Sequence, residues 1–306
     1  MLIHKLVAFS LINVLVLLNT GCCHKIKCHD IRRDSEIFTL NDELQAIKMD
    51  LVDMRLTQEQ IIFNLSQSVT EINQKLTVEK SNYRKSCAEA LLGDDKESGI
   101  YKLYIPESDL KPFYVYCISD PNNGTAWTVI QRRVESSINF FVDWDTYKSG
   151  FGNLAGAFFI GLDKLHALTQ SEINELWINL EDFEGQKRSA YYDSFAIGDE
   201  STKYAINILG KYTGDAGDSF GPHEGQKFST IDVNNDISTK DCAKLFKSGW
   251  WYHDCLDSFS SNCNLNGEYG TNNTTGIYWG NWHGGEYTLK GTVMAIRPKN
   301  TSDINL

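Results

Sequence analysis

The sequence predicts an α+β globule carried behind an α-helical coiled coil. Two observations set that fold class. From Ile37 to Ile72 apolar residues recur every three or four positions, and no proline or glycine falls between Asp30 and Lys85. Past about Tyr83 the character changes: aromatics and glycines become frequent, and short strand-like runs are separated by turn sequences. The 306 residues leave room for one large domain plus extras, and an apolar fraction of 42% is ordinary for a globular protein.

The chain opens with His4 and Lys5 ahead of an apolar run from Leu6 to Leu18, broken by Ser10 and Asn13 and closed by Asn19-Thr20-Gly21. A membrane span needs about 20 apolar residues. Residues 1–21 therefore read as a secretory signal, with an uncleaved signal anchor as the alternative. Secretion makes disulfides the natural state of the eight cysteines. Cys22, Cys23 and Cys28 cluster in an N-terminal segment, residues 22–36. No CxxC pair occurs, which argues against zinc. Sequons at Asn64, Asn123, Asn272, Asn273 and Asn300 suit a secreted glycoprotein.

Residues 37–82 form the stalk. With Ile37 at heptad position a, Leu44, Leu51 and Leu65 also fall at a, and Leu40, Ile47, Met54 and Ile61 at d. Leu at a with Ile at some d positions leans toward three or four strands, so a homo-oligomer is expected, a trimer first. Gln58 at a costs stability and sets register. After Leu65 the stripe moves to Val69, Ile72 and Leu76, a stutter that loosens the supercoil. The alternative, a long helix packed on its own domain, would show a wider apolar face.

Residues 83–300 form the globule and 301–306 a tail. Phe113–Ile118, Trp127–Arg132 and Glu175–Leu180 read as strands and Leu162–Leu168 as a short helix. Pro121-Asn122-Asn123-Gly124, Lys148-Ser149-Gly150 and Thr213-Gly214-Asp215 mark turns. Within 228–269, Asp232, Asn234 and Asp236 alternate, so one loop can aim their oxygens at a common point. Such a set suits Ca²⁺. A polar turn held by Asx hydrogen bonds is the alternative. Trp250, Trp251 and Tyr252 follow, mostly as packing. A net charge of −11 without a Lys/Arg cluster argues against nucleic acid as partner. No GxSxG, HExxH or phosphate-cradling loop appears, so no enzyme is expected.

Longer motifs carry a family resemblance. SCAEALL at 86–92, SGIYKLYIP at 98–106, YCISD at 116–120, TAWTVIQRR at 125–133 and DWDTYKSGFGNLAGAFFIGLDKLHALT at 143–169 come first. LEDFEG, YTGDAGDSF, FSTIDVNND, GWWYHDC, NLNGEY, GIYWGNW and MAIRP complete the order. Over 86–298 the chain resembles the fibrinogen C-terminal domain of fibrinogen, ficolins, tenascins, angiopoietins and invertebrate lectins.

The resemblance implies three subdomains, with disulfides Cys87–Cys117 and Cys242–Cys255. It implies a Ca²⁺ site made by the side chains of Asn234 and Asp236 and the carbonyls of Ser238 and Lys240. The family usually has Asp at both side-chain positions, so the site here lacks one charge, which Asp232 could supply. It also implies a ligand pocket at Tyr252, His253, Asn264, Tyr269 and Tyr287. Two departures fall there. Residues 256–263 lengthen the linker before NLNG, adding an odd Cys263 expected to be paired or capped, and no His follows the turn. The resulting expectation is a secreted, extracellular oligomer binding acetylated glycans with calcium support, as innate immune lectins do. The alternative is a matrix or signalling ligand whose globule binds a cell-surface or matrix protein.

Overall fold

The computed structural model describes residues 25–81, 83–92, 97–120, 125–255 and 261–299. The signal, Cys22, Cys23, the tail and most of the lengthened linker lie outside the described residues. The chain divides into two compact units, Met1–Thr77 and Val78–Leu306.

Helix α1, Lys25–Ser81, runs for 57 residues, about 85 Å at 1.5 Å per residue. It starts ahead of the predicted stalk because the segment before Ile37 also lacks helix breakers. Within a single chain the heptad stripe is uncovered: Ile37, Leu40, Leu44, Ile47, Leu51, Met54, Ile61, Leu65 and Ile72 are all exposed. So are Phe38, Met49, Val52, Leu56, Ile62 and Phe63 outside the a and d positions, which makes the apolar surface broader than a strict seam.

In the second unit a short helix α2, Cys87–Ala90, is capped by Ser86, whose hydroxyl accepts from the Glu89 N–H. Strands β1 (Gly99–Leu103), β2 (Phe113–Ile118) and β3 (Trp127–Arg133) then form an antiparallel meander. Helix α3, Trp144–Ser149, is capped by the Asp143 carboxylate. Two short strands, β4 (Phe151–Gly152) and β5 (Phe158–Phe159), lead to α4, Leu162–Ser171. Strands β6 (Asn174–Glu181), β7 (Lys187–Ile197), β8 (Ile206–Leu209) and β9 (Tyr212–Gly214) follow. Buried and half-buried residues alternate strictly along β6, the pattern of a strand with one face in the core.

Past β9 come mostly loops, with helix α5 (Cys242–Leu245), the strand pair β10 (Cys263–Asn264) and β11 (Tyr278–Trp279), and helix α6 (Gly280–His283). The last strand, β12 (Gly291–Pro298), returns to the middle of the main sheet. The order is β1-β2-β3-β12-β6-β7-β8, with antiparallel pairing throughout. Disulfide Cys87–Cys117 ties α2 to β2, and Cys242–Cys255 ties α5 to the segment after Trp250–Tyr252.

An aromatic cluster anchors the loop region. Trp250 and Trp251 are fully buried, with ring centroids 5.3 Å apart, and Phe228 lies 5.0 Å from Trp251. The NLNG turn packs just as closely: a Cβ on Gly267 would sit 2.0 Å from the Gly276 carbonyl oxygen, so only glycine fits.

Candidate functional site

The predicted calcium loop folds as successive Asx turns. Asn234 Oδ1 accepts from the Asp236 N–H at 3.1 Å, and Asp236 Oδ1 from the Ser238 N–H at 3.1 Å. The second Asp236 oxygen accepts from the Cys242 N–H at 3.2 Å, joining the loop to the start of α5. Asp232 does not complete this set. Its Oδ1 accepts from the Trp144 N–H at 2.9 Å and the Thr230 hydroxyl at 2.7 Å, so it fastens α3 instead.

Asp254 comes to the loop unannounced by the sequence. Its Oδ1 accepts from the Ser238 hydroxyl at 2.7 Å. The only hint in the sequence is its place beside Cys255, which the disulfide draws back to α5. Burial raises the Asp236 pKa from its ordinary value, the Asp241 and Asp254 carboxylates add to the rise, and the Cys242 and Ser238 N–H groups oppose it. Among the described residues no three His, Cys, Asp or Glu side chains converge on one point. A cation here would therefore draw on amide and backbone oxygens at Asn234, Ser238 and Lys240 besides Asp236. That hard-oxygen set, with surplus negative charge around it, fits Ca²⁺.

The five predicted ligand residues fall in different surroundings. Tyr252 and Asn264 meet through Ser248: its hydroxyl is 2.6 Å from the Tyr252 hydroxyl and donates to Asn264 Oδ1 at 3.1 Å. Both are enclosed, at 3% and 0% exposure. His253 is half-buried, and its carbonyl accepts from the Ile237 N–H at 3.2 Å, tying it to the Asx-turn loop. Tyr287 stacks on His283, centroids 4.2 Å apart, and its hydroxyl donates to Glu184 and accepts from the Phe183 N–H. Tyr269 lines a cavity of about 300 Å³ together with Arg133, Asn139, Lys247, Asn266 and Glu268.

Cys263 is a correction. It is a free cysteine with no exposure, so burial protects it where pairing or capping was expected. The apolar surroundings push its thiol pKa well up, which keeps it protonated and unreactive.

A family profile for the C-terminal globular domain of fibrinogen beta and gamma chains matches residues 83–299. The chain belongs to the fibrinogen C-terminal domain family. Angiopoietin-related protein 2 of Mus musculus is 41% identical over 215 residues, covering 70% of this chain and 43% of the relative. Fibrinogen C domain-containing protein 1-A of Xenopus laevis is 39% identical over 224 residues, covering 70% and 47%. The chain thus spans about half the length of the curated relatives it matches. Among solved structures, the fibrinogen-like globe domain of human ANGPTL2 superposes with a TM-score of 0.66 at 39% identity, over 71% of this chain and 99% of that one. Lamprey fibrin D-dimer, solved with a Gly-His-Arg-Pro-amide peptide, gives 0.64 at 30% identity, over 91% and 95%. Domains of this family are non-enzymatic ligand-binding and signalling modules, in line with the expectation of no enzyme.

Proposed function

We propose that this chain is a secreted, oligomeric extracellular ligand whose fibrinogen-like globule binds a protein partner. The observation that carries this reading is the 41% identity to an angiopoietin-related protein across the globule. The peptide held by the lamprey fibrin relative and the enclosure of Tyr252 and Asn264 point the same way. Among the described residues no helix is long and apolar enough to cross a membrane. The test is binding of the full chain to responsive cells. Brief protease treatment of the cells should abolish binding, and free N-acetylglucosamine should not elute it. The reverse result would favour the acetylated-glycan reading.

The stalk supports oligomerisation through its charges as well as its apolar stripe. Glu43 and Asp50 occupy position g, and Lys48 and Arg55 lie five residues on, at position e. In a parallel, in-register assembly each acid meets a base of the neighbouring copy. An antiparallel one would set like charges together. A trimer is favoured, and a monomer in sedimentation at micromolar concentration would overturn it.

Calcium belongs to the same proposal, held by Asn234, Asp236 and the Ser238 and Lys240 carbonyls. The raised Asp236 pKa gives a signed prediction. An acid whose folded pKa is raised stabilises the fold when protonated, and that stability is lost as pH rises through the folded value. At neutral pH the bare carboxylate is therefore a cost that a cation would relieve. Asp236→Asn should abolish the response to Ca²⁺ and, by setting an amide N–H against the Cys242 or Ser238 N–H, offset in EDTA what it gains by removing the charge, while Asn234→Asp should tighten binding. Calorimetry showing no Ca²⁺ uptake by the parent would leave the loop as an Asx-turn brace.

A further inference from the structure

Arg133 ends β3 and is only 1% exposed. Its Nη1 donates to the carbonyls of Leu265, at 3.3 Å, and Gly267, at 2.7 Å. Its guanidinium carbon lies 3.8 Å from the centre of the Phe140 ring. Its Nε is buried with no acceptor. Among the described residues no carboxylate pairs with it. Arg297 on the adjacent strand β12 shows the contrast: its Nη1 lies 2.9 Å from Asp120 and its Nε 2.8 Å from Glu175. Burial draws the Arg133 pKa down to about 10, and the group stays charged at neutral pH. A buried cation with a free donor and no counter-ion is costly, and the fold keeps it beside an opening.

That opening is the cavity lined by Arg133, Asn139, Lys247, Asn266, Glu268 and Tyr269. Lys247 and Glu268, 3.2 Å apart, neutralise each other at its edge. The charge left over is that of Arg133. The other walls mix the hydroxyls of Ser136 and Ser137, an amide and a phenol with the apolar faces of Ile138 and Phe140, a combination that suits the polar edges and C–H face of a sugar ring. At about 300 Å³ the space suits a ligand of monosaccharide size.

We infer that this cavity binds an acidic monosaccharide of the uronic-acid class, its carboxylate directed at Arg133 and its hydroxyls at Asn139 and Tyr269, while Asn266 is taken up by Gln131 and the Gly249 carbonyl. An acidic side chain of a peptide would satisfy the cation but leave the amide and hydroxyl walls unused. A neutral sugar would use the walls and leave the cation bare. Of the predicted ligand residues only Tyr269 lines this cavity, which adjoins the buried Asn264 through the Asn266 N–H, and the proposal stands whatever protein the globule binds.

The test is thermal unfolding of the full chain with sodium glucuronate, glucose or sodium acetate at matched ionic strength. Glucuronate at tenfold excess over its Kd should raise the midpoint on the order of 3–6 °C. Glucose should leave it unchanged and acetate should act weakly. Arg133→Met removes the cation. Asn139→Asp places a carboxylate in the cavity wall and leaves the cation in position, so it decides the matter if Arg133→Met fails to fold. Both variants should lose the glucuronate shift. No shift at tens of millimolar glucuronate, an equal shift with glucose, or a shift that survives Asn139→Asp overturns the proposal. Acetate as effective as glucuronate overturns the sugar assignment in favour of a bare carboxylate.

Discussion

Replacing Trp251 with alanine is expected to remove about 3–5 kcal/mol of stability, a large share of what a domain of this kind has to lose. The indole has no exposure, and it packs edge-on against Phe228 and Trp250. Its Nε1 donates to the Tyr204 carbonyl at 2.8 Å. Alanine would leave a cavity among rigid rings, which cannot collapse into it, and would strand that carbonyl. Trp251→Phe should cost less, since the ring contacts largely persist and the hydrogen bond alone goes. Urea unfolding of the secreted chain would rank the two variants. Equal midpoints for Trp251→Ala and the parent would mean that the cluster does not anchor the loop region.

Mild acid should destabilise the globule through His223. This imidazole is buried, with Nδ1 2.7 Å from the Trp251 carbonyl and Nε2 3.2 Å from the Cys263 N–H. A carbonyl on one side and an N–H on the other match the neutral ring with its proton on Nδ1. A second proton would face the Cys263 donor. Burial pulls the pKa down from 6.5 to about 4. The unfolded chain therefore takes up a proton near pH 6.5 while the folded one does not. Stability is full above that value and falls as pH drops toward 4, by a total of about 3 kcal/mol. His223→Asn, which keeps a donor toward Trp251, should be less stable at neutral pH but should lack this share of the acid sensitivity. Parallel acid slopes for parent and variant would show that His223 is not the group responsible.

The features legible in the sequence were the ones written locally. The alternation in β2 and β6 repeats within a few residues, so those strands emerge within a residue of their observed ends, and the heptads of α1 mark its C-terminal end but not its start, which lies twelve residues ahead of the first heptad. Both disulfides followed from the resemblance. What escaped was set by long-range placement. Asp232 looked like a partner of Asn234 and Asp236 because it is near them in sequence, yet its carboxylate serves the start of α3. Asp254 reaches the same loop only because a disulfide returns it there. Cys263, an odd thiol expected to be paired or capped, is instead enclosed by the fold. Nothing in the QRR motif shows that one arginine spends its donors on backbone carbonyls while Arg297, far along the chain, takes two carboxylates.

The position of β12 has a consequence for how the protein is made. This strand lies between β3 and β6, so neither has its full set of partners until the ribosome has finished residue 298. From the end of β6 to the start of β12 synthesis must add about a hundred residues, which at ribosomal speed takes roughly 5–20 s. Throughout that interval the nascent chain carries two part-sheets, each with a hydrogen-bonding edge open to other chains. The globule therefore closes only once β12 has emerged, and until then the edges of β3 and β6 are the places where a half-made chain would stick to its neighbours.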